Sequence, residues 1–121
     1  MDELVGALAT KAGIDGPVAE KTIGIMLDYL RSEGPPETVQ ALIDGIPGAE
    51  AAIAAVRNNV GLSRLMGGGL MAAGTRLMGL GLAVSEIQMI ARELFVFGRD
   101  KIGADRMGTI IAGTPGLSQF A

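Results

Sequence analysis

The chain has no cysteine and no histidine among its 121 residues. The first absence removes disulfides and thiolate chemistry. The second removes the commonest general base and the commonest metal ligand. Only four residues are aromatic, Tyr29, Phe95, Phe97 and Phe120, which together with a pI near 4.8 argues against nucleic acid as a partner. No run of eighteen residues is free of charged and polar breaks, so a spanning helix is not expected. The first residues, Met1 to Leu4, include two acids and no basic segment, so no signal peptide is expected and a bacterial cytoplasm is the expected location. Nor is there an alternating apolar run long enough for a strand.

What the chain does hold is unevenly placed. Residues 1–50 carry nine acids against three bases, a net −6; residues 51–121 carry four acids against seven bases, a net +3. Between Ala51 and Ser85 there is no acid at all, only Arg57, Arg64 and Arg76. Complementary halves of one fold, head-to-tail association and an anionic partner would all exploit this asymmetry.

Residues 13–48 read again, without a gap, at residues 81–116. Gly13 falls on Gly81, Arg31 on Arg99, Ile43 on Ile111, and Gly45, Pro47 and Gly48 on Gly113, Pro115 and Gly116. Apolar positions agree as well, among them Ala19 with Ile87, Met26 with Leu94, Tyr29 with Phe97 and Leu42 with Ile110. A fixed offset of 68 with shared punctuation indicates one helical unit used twice. The expected architecture is therefore all-α, a single domain. Repeat unit one spans 1–50 and repeat unit two 81–121, joined by a Gly/Met-rich connector over 51–80.

Local signals place the helices. Leu4, Val5, Leu8 and Ala12 have helical spacing after a potential Asp2 cap, and Gly13 ends that helix. Asp15 and Pro17 open the next, which buries Ala19, Ile23, Met26 and Leu30 and stops at Gly34. Pro35 and Pro36 open a short third helix carrying Val39, Leu42 and Ile43, closed by Gly45 and the Pro47-Gly48 turn. Ala49–Asn58 reads as an alanine-rich helix, and Leu70–Met78 as a second helical stretch beyond the glycines 67–69. Ser85 with Gln88 predicts a capping box for a helix running to about Lys101, which buries Ile87, Ile90, Leu94 and Phe97. Asp105 is the expected cap of the last helix, with Met107, Ile110 and Ile111 inward.

The series Ala12-Gly13-Ile14, Ala19, Leu27, Leu30, Val39, Leu42, Ile43 and Pro47 resembles the bacterial helical family called domain of unknown function 2267. Leu80-Gly81-Leu82 and the helices after it resemble domain of unknown function 2780. The resemblance implies an all-helical fold and no reaction or site.

Candidate chemistry is thin. Asp2, Asp15, Glu37, Glu86 and Asp105 lie where helices start, and Arg31, Arg99 and Lys101 near helix ends, so the macrodipole accounts for them. Glu93 is expected on a solvated face or in an ion pair, with a functional role as the alternative. Gly67-Gly68-Gly69-Leu70-Met71-Ala72 fits a dinucleotide fingerprint in letters only, because no strand precedes it. No catalytic residue, metal ligand or cofactor is expected. The best candidate is an interaction surface of flexible apolar side chains among glycines: Leu65, Met66, Leu70, Met71, Leu77 and Met78. It implies a non-enzymatic module that associates with itself. The alternative is peripheral attachment to an anionic membrane surface, or binding of an apolar ligand, through residues 62–82.

Overall fold

The computed structural model describes residues 2–57 and 70–114, and every regular element among them is a helix. In chain order these are α1 (Asp2–Ala12), α2 (Gly16–Glu33), α3 (Pro36–Asp44), α4 (Ala49–Arg57), α5 (Leu70–Met78), α6 (Val84–Ile102) and α7 (Ala104–Gly113). The expectation of an all-α fold holds. Residues 58–69, with the glycine run and the expected end of the alanine-rich helix, lie outside the described residues.

The helix breaks fall where the punctuation put them. Gly13 and Gly81 adopt φ of +67° and +89°, the left-handed region that a side chain would strain; Gly13 closes α1, and Gly81 lies in the turn between α5 and α6. Gly34 ends α2 with its N–H donated to the Leu30 carbonyl at 2.7 Å. Pro35 precedes α3 and Pro36 begins it, which costs no hydrogen bond because first-turn amides have no intrahelical acceptor.

Four caps differ from expectation: Asp2 is the first residue of α1, Asp15 precedes α2 without a side-chain cap hydrogen bond, and α6 and α7 begin elsewhere than expected. The residue preceding α6 is Ala83, whose N–H donates to Glu86 Oε1 at 2.9 Å; Ser85 and Gln88 do not form the box. Gly103 precedes α7, and Asp105 lies inside its first turn. At both helices a small residue, Ala83 or Gly103, stands at the edge, and the polar side chains fall inside the first turn.

α2 is the spine. It packs most extensively against α4 and also against α1, α3 and α5, while α6 packs on α1, α3 and α7. Its buried residues, Ala19, Thr22, Ile23, Leu27 and Leu30 among them, join Leu4, Leu8, Leu42, Ile53, Ile90, Leu94, Met107 and Ile110 in one apolar cluster. Met26, Ile87, Phe97 and Ile111, expected fully inward, are only partly buried at the border of that cluster. Each buried polar side chain has a partner: the Thr22 hydroxyl donates to the Val18 carbonyl and that of Thr114 to the Ile110 carbonyl, both at 2.7 Å.

A partly buried ion pair ties α5 to the spine. Arg76 Nη1 lies 3.3 Å from Asp28 Oδ2, and Arg76 Nη2 donates to the Val56 carbonyl at 3.2 Å. Burial with an additional backbone acceptor makes this pair costly to break from one side. Lys11 and Glu93 form an exposed pair at 2.9 Å between α1 and α6, worth little by itself.

Tyr29 is buried on α2, and burial, with the Glu33 carboxylate adding to it, raises its pKa above the ordinary value of 10.0. The unfolded phenol therefore ionises first as pH rises. The contribution to stability is complete below about pH 10 and is lost above it. Tyr29→Phe should flatten the alkaline limb of a stability-versus-pH curve measured by urea unfolding. An unchanged slope above pH 10 would remove Tyr29 from that account.

Candidate functional site

The residues expected to form an interaction surface are dispersed. Leu65 and Met66 lie outside the described residues, and Leu70 and Met71 fall in the first turn of α5. Leu77 is a correction: it is 4% exposed and belongs to the core, because α5 turns that side toward α2. Met78, one residue on, is 53% exposed. Arg76, one of the three arginines of the acid-free stretch, is turned inward to Asp28. The glycine and methionine composition was visible in sequence. Which side of α5 faces α2 depends on a partner 48 residues away.

A second exposed surface lies on α6. Ser85, Gln88, Met89, Arg92, Val96 and Arg99 recur at helical spacing and are all solvent-exposed, with Met89 41% and Val96 55% accessible. Two apolar side chains thus alternate with two guanidinium groups along one stripe. Neither Arg92 nor Arg99 has an ion-pair partner among the described residues. A stripe of this composition suits a protein partner better than bulk solvent: arginine stems cover apolar surface while their heads offer several donors. Arg99 was read as a helix-end cation, and the stripe was missed. Its period-3.6 exposure becomes visible only when the opposite side of α6 is known to be the buried one.

The covered face of α2 is a useful contrast. There α4 crosses so closely that a Cβ built on Gly24 would lie 2.7 Å from the Ala52 carbonyl oxygen. At the same contact Arg31 Nη2 donates to the Glu50 carboxylate and, at 3.1 Å, to Gln40 Oε1, while Gln40 Nε2 donates to Asp44 Oδ1 at 2.9 Å. Arg31 is therefore the polar clasp of a helix–helix contact.

One open cleft of about 520 Å³ lies between α1, the α3–α4 turn and the end of α6, lined by Glu3, Glu20, Pro47, Ala51, Phe97 and Lys101. Lys101 Nζ sits 5.1 Å from the Phe97 ring centroid, a cation–π contact. Glu3, Glu20 and Lys101 are all exposed there, so water screens their charges. Among the described residues no three acidic side chains converge as a metal site would need. No single helix among them is long and apolar enough to cross a membrane. No family model, no curated protein and no solved structure matches the chain.

Proposed function

We propose that the chain is a non-enzymatic interaction module that associates with itself, built from two related three-helix units. The observation that carries the reading is the exposed stripe of α6, where Met89 and Val96 stand in solvent between Arg92 and Arg99. The carboxylates support the non-catalytic part: Glu93, Glu50 and Asp28 are in ion pairs, and Glu86 holds a backbone N–H. A cytoplasmic location belongs to the same reading.

Helix positions support the two units. Under the offset of 68, α2 starting at Gly16 corresponds to α6 starting at Val84, and α3 starting at Pro36 to α7 starting at Ala104. The correspondence extends further than the sequence suggested, since α1 starting at Asp2 maps onto α5 starting at Leu70. On this reading the second unit begins at residue 70, and the connector shortens accordingly. Thr22 and Ile90, Leu27 and Phe95, Val39 and Met107, and Leu42 and Ile110 are buried at equivalent places. The first helices also bridge the units, α5 packing on α2 and α1 on both α2 and α6. The resemblance to domains of unknown function 2267 and 2780 is part of this proposal and rests on the same punctuation.

Membrane or apolar-ligand binding through residues 62–82 is the competing reading. The inward pairing of Arg76 weakens it, because that guanidinium is spent on Asp28. Light scattering with and without vesicles containing anionic phospholipid separates the two. The expected result is an oligomer of fixed mass that ignores vesicles. A monomer that co-sediments with them would overturn self-association in favour of the membrane reading.

A further inference from the structure

The open cleft and the α6 stripe carry inverse charge patterns. The cleft presents two carboxylates and one ammonium, Glu3, Glu20 and Lys101, beside the apolar Pro47 and Phe97. The stripe presents two guanidiniums, Arg92 and Arg99, and next to Arg99 the exposed carboxylate of Asp100, around the apolar Met89 and Val96. Glu3, Glu20, Arg92, Arg99 and Asp100 have no ion-pair partner among the described residues. Each surface therefore holds charge that the fold itself leaves unmatched, in a ratio that the other surface reverses.

We infer that the cleft of one copy receives the α6 stripe of a second copy, with Arg92 and Arg99 directed to the carboxylates of Glu3 and Glu20. The inference rests on the self-associating reading above and supplies the acceptor surface for the stripe. Charge selects the occupant. Glu3 and Glu20 belong to the half of the chain with net −6, and Arg92 and Arg99 to the half with net +3. Opposite fields of this kind favour first-half surface on second-half surface. Laying the stripe on its own copy would instead set Arg92 and Arg99 against the same arginines, which costs free energy.

The apolar residues favour a protein occupant over a small ion. Exposed carboxylates in an open cleft stay hydrated, and a lone cation beside them gains little. A helix surface that brings Met89 and Val96 against Pro47 and Phe97 also removes apolar area from water. The cleft volume of about 520 Å³ leaves room for several side chains. One copy can use both surfaces at once. Successive helical residues are about 100° apart, so Phe97 lies about 100° and Lys101 about 140° round α6 from Val96. The contact joins unlike surfaces, so each copy gives its stripe and receives another's, and an oligomer of fixed mass requires that this cycle close.

The test is a charge exchange on the full chain, read by light scattering. Glu3, Glu20, Arg92 and Arg99 are exposed and outside the described ion pairs, so circular dichroism should stay helical after substitution. Glu3→Lys with Glu20→Lys sets cations against the partner's arginines. Arg92→Glu with Arg99→Glu sets carboxylates against the partner's cleft. Each double variant alone should raise the dissociation constant by about tenfold or more, through like-charge repulsion. Mixed in equal amounts they should recover the wild-type mass, because every cleft then meets a stripe of opposite sign. If a charge reversal unfolds the protein, Glu3→Gln with Glu20→Gln, or Arg92→Gln with Arg99→Gln, takes its place and should still weaken association. Wild-type mass in either folded double variant, or no recovery on mixing folded charge-reversal variants, overturns this contact and leaves self-association standing. A wild-type monomer at all soluble concentrations overturns both.

Discussion

Leu94→Ala is expected to lower stability by about 2–5 kcal/mol, the range for emptying a fully buried leucine site. Leu94 is 1% exposed on the inner side of α6, within the cluster that also holds Ile90, Phe95 and Met107. The lost transfer free energy adds to a cavity that tightly packed neighbours cannot refill. Urea unfolding should show a lower midpoint with an unchanged slope. Met26, its counterpart under the proposed offset of 68, packs against the cluster from outside and is only partly buried. Its replacement by alanine should cost roughly half as much, in proportion to the smaller area removed from water. A loss below about 1 kcal/mol at Leu94 would mean that the apolar face of α6 lies elsewhere.

That contrast marks the boundary of what the residues reveal by themselves. Helix ends were legible because their causes are local. Gly13 and Gly81 supply positive φ, and Pro35, Pro36 and the Pro47-Gly48 turn cannot be helix interior. Inward positions were legible where the apolar period is unambiguous, as for Ile23, Leu42, Leu94 and Ile110. Met26 and Leu77 were misplaced because an amphipathic stripe has edges, and only the neighbouring helices decide whether an edge residue is covered. Asp28 and Arg76 went unnoticed as a pair because 48 residues separate them, and neither carries a local signal. The α6 stripe was missed for a related reason. Its arginines look like ordinary solvated charge until the opposite side of α6 is seen to be the buried one.

Gly24→Ala should destabilise the protein by about 2–3 kcal/mol, against the usual sign for that exchange. In a helix interior alanine is normally favoured over glycine by about 1 kcal/mol, since glycine loses more backbone entropy on folding. Space reverses the balance here. The new Cβ would stand 2.7 Å from the Ala52 oxygen, 3.0 Å from its carbonyl carbon and 3.1 Å from Val56 Cγ1. Two of these are backbone atoms of α4, so relief requires moving the whole helix off α2, which loosens the Arg31–Glu50 clasp and the Val56 carbonyl that Arg76 holds. Gly98 makes a graded comparison. A Cβ there would meet Met107 Sδ at 2.5 Å, but a methionine side chain can change rotamer, so Gly98→Ala should cost less. Gly6 and Gly108 have no atom within 4 Å of an added Cβ, and alanine at either should stabilise by about 0.5–1 kcal/mol. The order Gly24 worst, Gly98 intermediate, Gly6 and Gly108 favourable is what urea unfolding of the four variants should return. If Gly24→Ala proved as favourable as Gly6→Ala, the close crossing of α2 and α4 would be refuted.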